Sequence, residues 1–196
     1  MGRWYSYDFE ARFKHPPMLE TERLRLRPVR EDDAEAVFAA VSDPDVTQHL
    51  AWDAHYRVSE SVSFVRWVMD ESAAGRPAQW AMETKDGGRF IGLCGIVAVE
   101  PKHHRAEVGY WLGRRDWNRG YMTEAVRETL RYGFDDLGLF RIEGFCLPDN
   151  LASIRVMEKA GMVYEGTLRR YLWAKKRHHD LRVYAILRGE FATADR

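Results

Sequence analysis

Residues Asp116 to Phe134, DWNRGYMTEAVRETLRYGF, pass from a crowded basic turn into an amphipathic helix that ends near Gly138. A glycine turn feeding a helix N-terminus presents several unpaired backbone N–H groups and the positive end of the helix dipole, an arrangement that binds phosphate without any special side chain. Arg114, Arg115 and Arg119 add positive charge beside Gly120. The same residues also suit an ordinary loop-to-helix junction with solvated arginines, so the turn alone leaves both readings open. No Gly-Lys-Ser/Thr follows, which excludes a Walker A loop, and the dinucleotide-binding fingerprint needs more glycines than stand here.

The rest of the chain limits what can surround this turn. ERLRLRPV alternates as a half-buried strand, and REDDAEAVFAAVSDP reads as a helix with acidic residues in its first turn and Pro44 closing it. SESVSFVRWVMDESAAG reads as a second helix, with Ser59 as cap and Gly75 as stop. AQWAMET and RFIGLCGIVAVE form a hairpin about KDGG, and RAEVGYWLG is the strand before the turn. FRIEGFCL is a strand, and DNLASIRVMEKAG is a short helix capped by Asn150 and stopped by Gly161. VYEGTLRRYLWA and LRVYAIL close the chain as a hairpin about the basic tip KKRHHD. The expected layout is α/β in one domain, with a mixed, mostly antiparallel sheet of about seven strands flanked by about four helices. Residues 1–17, with Trp4, Tyr5, Tyr7, Phe9 and Phe13 before HPP, read as an aromatic extension that packs on something, and residues 18–190 as the domain itself.

Composition narrows the partners. Lys+Arg and Asp+Glu total 30 each, a balance that argues against general nucleic-acid binding. Cys94 and Cys146 sit in apolar segments and are expected as buried thiols. No signal-peptide core or membrane-spanning apolar run is present, so a cytoplasmic protein without membrane partners is expected. The pairs His103-His104 and His178-His179 lack the i, i+4 spacing of a helical zinc motif, so no metal is expected.

Taken together, AEVGYWLG, the segment Trp117-Asn118-Arg119-Gly120-Tyr121-Met122-Thr123-Glu124-Ala125, and Asn150, Ser153, Glu158, Lys159 and Gly161 resemble the GCN5-related N-acetyltransferase (GNAT) superfamily. Within it the likeness is to the ribosomal-protein alanine N-acetyltransferase (RimJ/RimL-like) branch, over roughly residues 18–190. The resemblance implies acetyl-CoA as co-substrate, its pyrophosphate held by the turn at Asn118, Arg119, Gly120, Tyr121, Met122 and Thr123, and its pantetheine arm beside Tyr110, Trp111 and Leu112 and against Asn150. Asn118 and Met122 replace the glycine and the small residue usual in that family. Asn accepts positive φ readily, and Met keeps its amide. Direct transfer to a primary amine needs a base, for which Glu107 is the best-placed carboxylate. The departing thiolate needs a donor, and Met157 stands where many members carry a tyrosine, so Ser153 is the candidate. Glu107 also fits a solvated strand residue, and Ser153 a helix-start residue bonding its own backbone. Trp52 and Tyr56 are candidates for the acceptor wall. The acceptor is a protein N-terminus or a small amine. A non-catalytic CoA-binding sensor or scaffold is the second reading, kept open by Met157. The aromatic extension permits a homodimer or, as a third reading, a purely structural role.

Overall fold

The computed structural model describes residues 9–77 and 79–194. Eight strands form one sheet: β1 (Leu19–Glu20), β2 (Leu24–Pro28), β3 (Gln79–Thr84), β4 (Phe90–Glu100), β5 (Arg105–Leu112), β6 (Arg141–Cys146), β7 (Val163–Ala174) and β8 (Arg177–Leu187). Their order is β1-β2-β3-β4-β5-β6-β8-β7, antiparallel throughout except between β5 and β6. The strand beyond the seven expected is β1, two residues long and too short for alternation to reveal.

Seven helices accompany the sheet among the described residues: α1 (Phe9–Lys14), α2 (Ala34–Val41), α3 (Pro44–Thr47), α4 (Val58–Ala73), α5 (Tyr121–Arg131), α6 (Leu151–Lys159) and α7 (Arg188–Ala194). The three not foreseen, α1, α3 and α7, have seven residues or fewer, less than two helical turns. Pro44 ends one helix and begins the next. It is the first residue of α3, whose cap is Asp43, with Oδ1 accepting the Asp45 N–H at 2.9 Å. The start of α4 also differs from expectation. Glu60 accepts the N–H groups of Tyr56 (2.6 Å) and Arg57 (3.0 Å), which places Ser59 inside the helix rather than at its cap. Gly75 and Gly161 end α4 and α6 with φ of 71° and 90°.

The sheet separates two cores. On one face Leu24, Leu26, Met82, Ile96 and Val108 pack against Met122, Ala125, Val126 and Leu130 of α5 and Ile154 and Met157 of α6. On the other, Ala81, Leu93 and Trp111 pack against Val37 and Val41 of α2 and Val65 and Val68 of α4. Strand alternation assigns the faces, so Val108 and Tyr110 belong to the first and Trp111 to the second. Helix α1 lies on α4: Phe13 is buried, and the Ser72 hydroxyl donates to its carbonyl at 2.7 Å. Trp4, Tyr5 and Tyr7 lie outside the described residues.

One irregularity organises the function. β5 and β6 pair only through Arg105–Glu107 and Arg141–Glu143. Beyond that point β5 stays on β4 as far as Leu112, and β6 stays on β8 as far as Cys146. The two strands therefore part, and the sheet opens between them.

Candidate active site

The parting of β5 and β6 forms a groove of about 530 Å³, walled by Val108–Leu112, Phe145 and Cys146, the first turns of α5 and α6, and residues 45–50 excepting Thr47. At one end stands the turn before α5. Asn118 has φ of 60° and Gly120 of 80°, left-handed conformations that Gly adopts freely and Asn better than most. The first helical bond runs from the Glu124 N–H to the Gly120 carbonyl at 3.1 Å, and no side chain caps the helix. The amides of Tyr121, Met122 and Thr123 precede that bond, at the positive end of the dipole.

Residues far away in sequence hold this turn. Arg23 donates from Nη1 to the Arg119 carbonyl (2.9 Å) and from Nε to Glu124 Oε2 (2.7 Å), and its guanidinium lies 4.7 Å over the Tyr121 ring. A Cβ at Gly120 would sit 3.3 Å from Arg23 Nη2. The Thr21 hydroxyl and the Arg23 N–H donate to Glu124 Oε1 (2.5 and 2.8 Å). Burial alone would raise the Glu124 pKa, but these donors outweigh it and bring it below the usual value. Asp116 is buried and gripped twice by Arg89 at 2.7 Å, and the Trp117 indole donates to the Leu112 carbonyl at 2.7 Å, tying the turn to the end of β5. Of the turn's arginines, Arg114 is engaged by Asp45 at 2.6 Å, and Arg119 is not among the groove's lining residues.

Halfway along the groove the structure joins two residues that the motifs left separate. The Tyr110 hydroxyl is 2.8 Å from Ser153 Oγ and 3.3 Å from the Ser153 carbonyl. Burial pushes the phenol pKa well above its ordinary value, so Tyr110 stays protonated. Asn150 caps α6, its Oδ1 accepting the Ser153 N–H at 3.0 Å, while its Nδ2 has no partner among the described residues. Met157, one turn on, packs so closely on Gly144 that a Cβ there would meet its sulfur at 2.8 Å. Cys146 borders the same space, its thiol pushed up to about 11 by burial.

Glu107 sits at the vertex where β5 and β6 separate, paired in register with Ala98 and Glu143. It points to the face opposite Tyr110, is half-buried, and makes no hydrogen bond or ion pair among the described residues. Burial, then the Glu143 charge, raises its pKa. Glu107, Trp52 and Tyr56 are not among the residues that line the groove. Trp52 packs on His55 and Phe64 with ring centroids at 5.0 and 5.7 Å, and Tyr56 is exposed. The wall is built instead by α3 and residues 48–50, which the β7–β8 hairpin fastens: Lys175 Nζ donates to the carbonyls of Thr47 (2.7 Å) and Gln48 (3.1 Å). His49 faces Asp149 across the opening at 3.7 Å. Among the described residues there is no cluster of three potential metal ligands and no helix long and apolar enough to cross a membrane.

Comparison with known proteins gives this split sheet and uncapped, glycine-led helix a family. Residues 23–163 match the acetyltransferase (GNAT) domain model, and the chain belongs to that family. It is an acetyltransferase. It is 35% identical to the uncharacterized N-acetyltransferase YoaA of Bacillus subtilis over 172 residues, covering 88% of this chain and 97% of that one. A GNAT-family acetyltransferase structure from Bacillus anthracis superposes with a TM-score of 0.80 at 30% identity, over 89% of this chain and 100% of that one. RimL, described as a ribosomal L7/L12 alpha-N-protein acetyltransferase in complex with coenzyme A, shares the fold with a TM-score of 0.78 at 20% identity, over 87% of this chain and 98% of that one.

Proposed function

We propose that this protein moves an acetyl group from acetyl-CoA directly to a primary amine, on a protein N-terminus or a small molecule. The observation that carries this reading is the groove that runs from the open amides of α5 to the Tyr110–Ser153 pair. The CoA complex of RimL is consistent with the donor.

When bound, acetyl-CoA supplies the thioester carbonyl that the amine attacks. The chain's residues do the rest. The amides of Tyr121, Met122 and Thr123 hold pyrophosphate, with Arg23 and Glu124 keeping them aimed. Past Glu107, the side of β5 that faces β6 has no strand partner, so its backbone polar groups, apart from the Leu112 carbonyl that Trp117 takes, are open to an extended amide-bearing arm and to a developing oxyanion. Glu107 takes the proton from the amine, and its raised pKa makes it the stronger base. On the other face, Ser153 donates to the departing sulfur. Tyr110 stays protonated and reaches both the Ser153 carbonyl and Oγ; in this reading it donates to Oγ and leaves the serine proton free to turn into the groove. Base and donor thus act from opposite faces of one strand.

The test is mass spectrometry of amine-bearing peptides and small amines incubated with the protein and acetyl-CoA. Gain of one acetyl group that depends on both, and is lost in Ser153→Ala and Glu107→Gln, is the expected result. Acetylation unaffected by either substitution contradicts the assignment of roles.

A further inference from the structure

The β7–β8 hairpin carries six lysines and arginines against two carboxylates, in a chain whose cations and anions total 30 each. The remainder of the molecule is therefore net acidic, and positive charge is concentrated here. The two carboxylates are already engaged. Glu165 is held by Arg141, and Asp180 accepts the Arg170 backbone N–H at 2.7 Å. Elsewhere several arginines sit in ion pairs, among them Arg27 with Asp33, Arg89 with Asp116 and Arg131 with Glu128. None of the hairpin's six cations is in an ion pair among the described residues.

The hairpin is also fixed beside the groove. Lys175 binds the carbonyls of Thr47 and Gln48, which belong to the wall segment. Phe145, a lining residue, stacks on Tyr171 with ring centroids 6.3 Å apart and an interplanar angle of 8°. Tyr171 is 64% exposed, and Arg169 and Arg170 precede it in an irregularity where the β7–β8 register shifts between Leu168 and Leu172. An aromatic and cationic strip therefore runs outward from the groove, its cations outnumbering the Asp180 carboxylate that the Arg170 N–H holds.

We propose that this strip docks an acidic polypeptide segment whose own N-terminal amine is the acceptor. The amine enters past Phe145, and the carboxylates that follow it lie along Arg169, Arg170, Lys176 and Arg177. An extended chain advances about 3.3 Å per residue with alternate side chains on one side, so carboxylates within the first few residues reach the hairpin. A nucleic acid needs a broader basic surface, and here the rest of the chain is net acidic. Docking stands on the charge pattern alone, whereas the role of the amine rests on the acetyl-transfer reading.

Fluorescence anisotropy of a C-terminally labelled peptide with a free N-terminus and alternating Asp and Glu tests it, beside the same peptide with Asn and Gln. The acidic peptide is expected to bind about tenfold or more tightly than the neutral one and to weaken with salt. The double variant Arg169→Glu with Arg177→Glu is expected to lose that preference, while Arg169→Lys with Arg177→Lys keeps it. Stabilisation by acetyl-CoA is expected to be the same in all forms. Equal binding of the neutral peptide overturns the proposal. So does full affinity in the glutamate variant, which leaves the charges only the task of keeping an open sheet edge from pairing. A single-stranded oligonucleotide that binds more tightly than the acidic peptide overturns it as well. Acidic-peptide binding without any effect of acetyl-CoA leaves the docking surface standing and removes the acetyl-donor reading.

Discussion

At the scale of single residues, the Tyr110–Ser153 contact matters because a hydroxyl proton points in only one direction at a time. With the phenol donating, the serine proton is released toward the groove; without it, Ser153 turns to its nearest carbonyl. Tyr110→Phe is therefore expected to lower kcat about tenfold with KM for acetyl-CoA unchanged. Ser153→Ala, which removes the donor itself, is expected to cost roughly a hundredfold. The double variant should be no worse than Ser153→Ala, because Tyr110 acts through the serine, and steady-state kinetics of the four proteins measure this. Glu107 gives a prediction of the opposite kind for stability. Its folded pKa is raised, so the protonated carboxyl suits the fold: its contribution is full below the unfolded pKa and is lost as pH rises through the folded value. At neutral pH the buried charge is a cost, and Glu107→Gln should raise the thermal midpoint there while lowering turnover about a hundredfold or more. Ser153 was singled out from the Asn150-x-x-Ser153 segment and Glu107 as the best-placed carboxylate on its strand. The Tyr110 phenol was not, because its partner lies 43 positions away and no local spacing announces it.

Among the elements, the turn before α5 was read from sequence, and what holds it was not. Asn118 and Gly120 supply the left-handed conformations locally, but the brace is Arg23, which reaches Arg119 across 96 positions. Arg23 is partly exposed, so its ion pair with Glu124 is screened and contributes on the order of 1 kcal/mol or less. Arg23→Ala is expected to raise KM for acetyl-CoA about fivefold, with kcat nearly unchanged, since what it loosens is the aim of the amides. A fall in kcat with KM intact contradicts this. Element boundaries failed where a side chain from outside the periodic run decided them. Glu60 moved the start of α4 ahead of Ser59, and Asp43 made Pro44 a beginning as well as an end. The acceptor wall was sought at Trp52 and Tyr56, yet the groove is lined there by α3 and residues 48–50, and Phe64 and His55 draw Trp52 into the packing beside α4.

At the scale of the whole molecule, the groove is a consequence of topology. β5 and β6 meet for three residues and then each follows its other neighbour, so a gap opens at the centre of the sheet where two helix N-termini converge. Alternation and helical periodicity revealed the α/β layout and seven of the eight strands, but neither carries information on where two strands cease to pair. That depends on packing by α5 and α6 on one face and α2 and α4 on the other. The central claim is that this gap, with the turn at Asn118 to Thr123, holds acetyl-CoA. Its most direct test is the thermal midpoint of the purified protein with and without excess acetyl-CoA, beside pyrophosphate alone. A ligand that binds only the folded state at about a hundred times its Kd adds roughly 2.7 kcal/mol. A rise of several degrees with acetyl-CoA, larger than with pyrophosphate, is the predicted result. An unchanged midpoint at millimolar acetyl-CoA would contradict it.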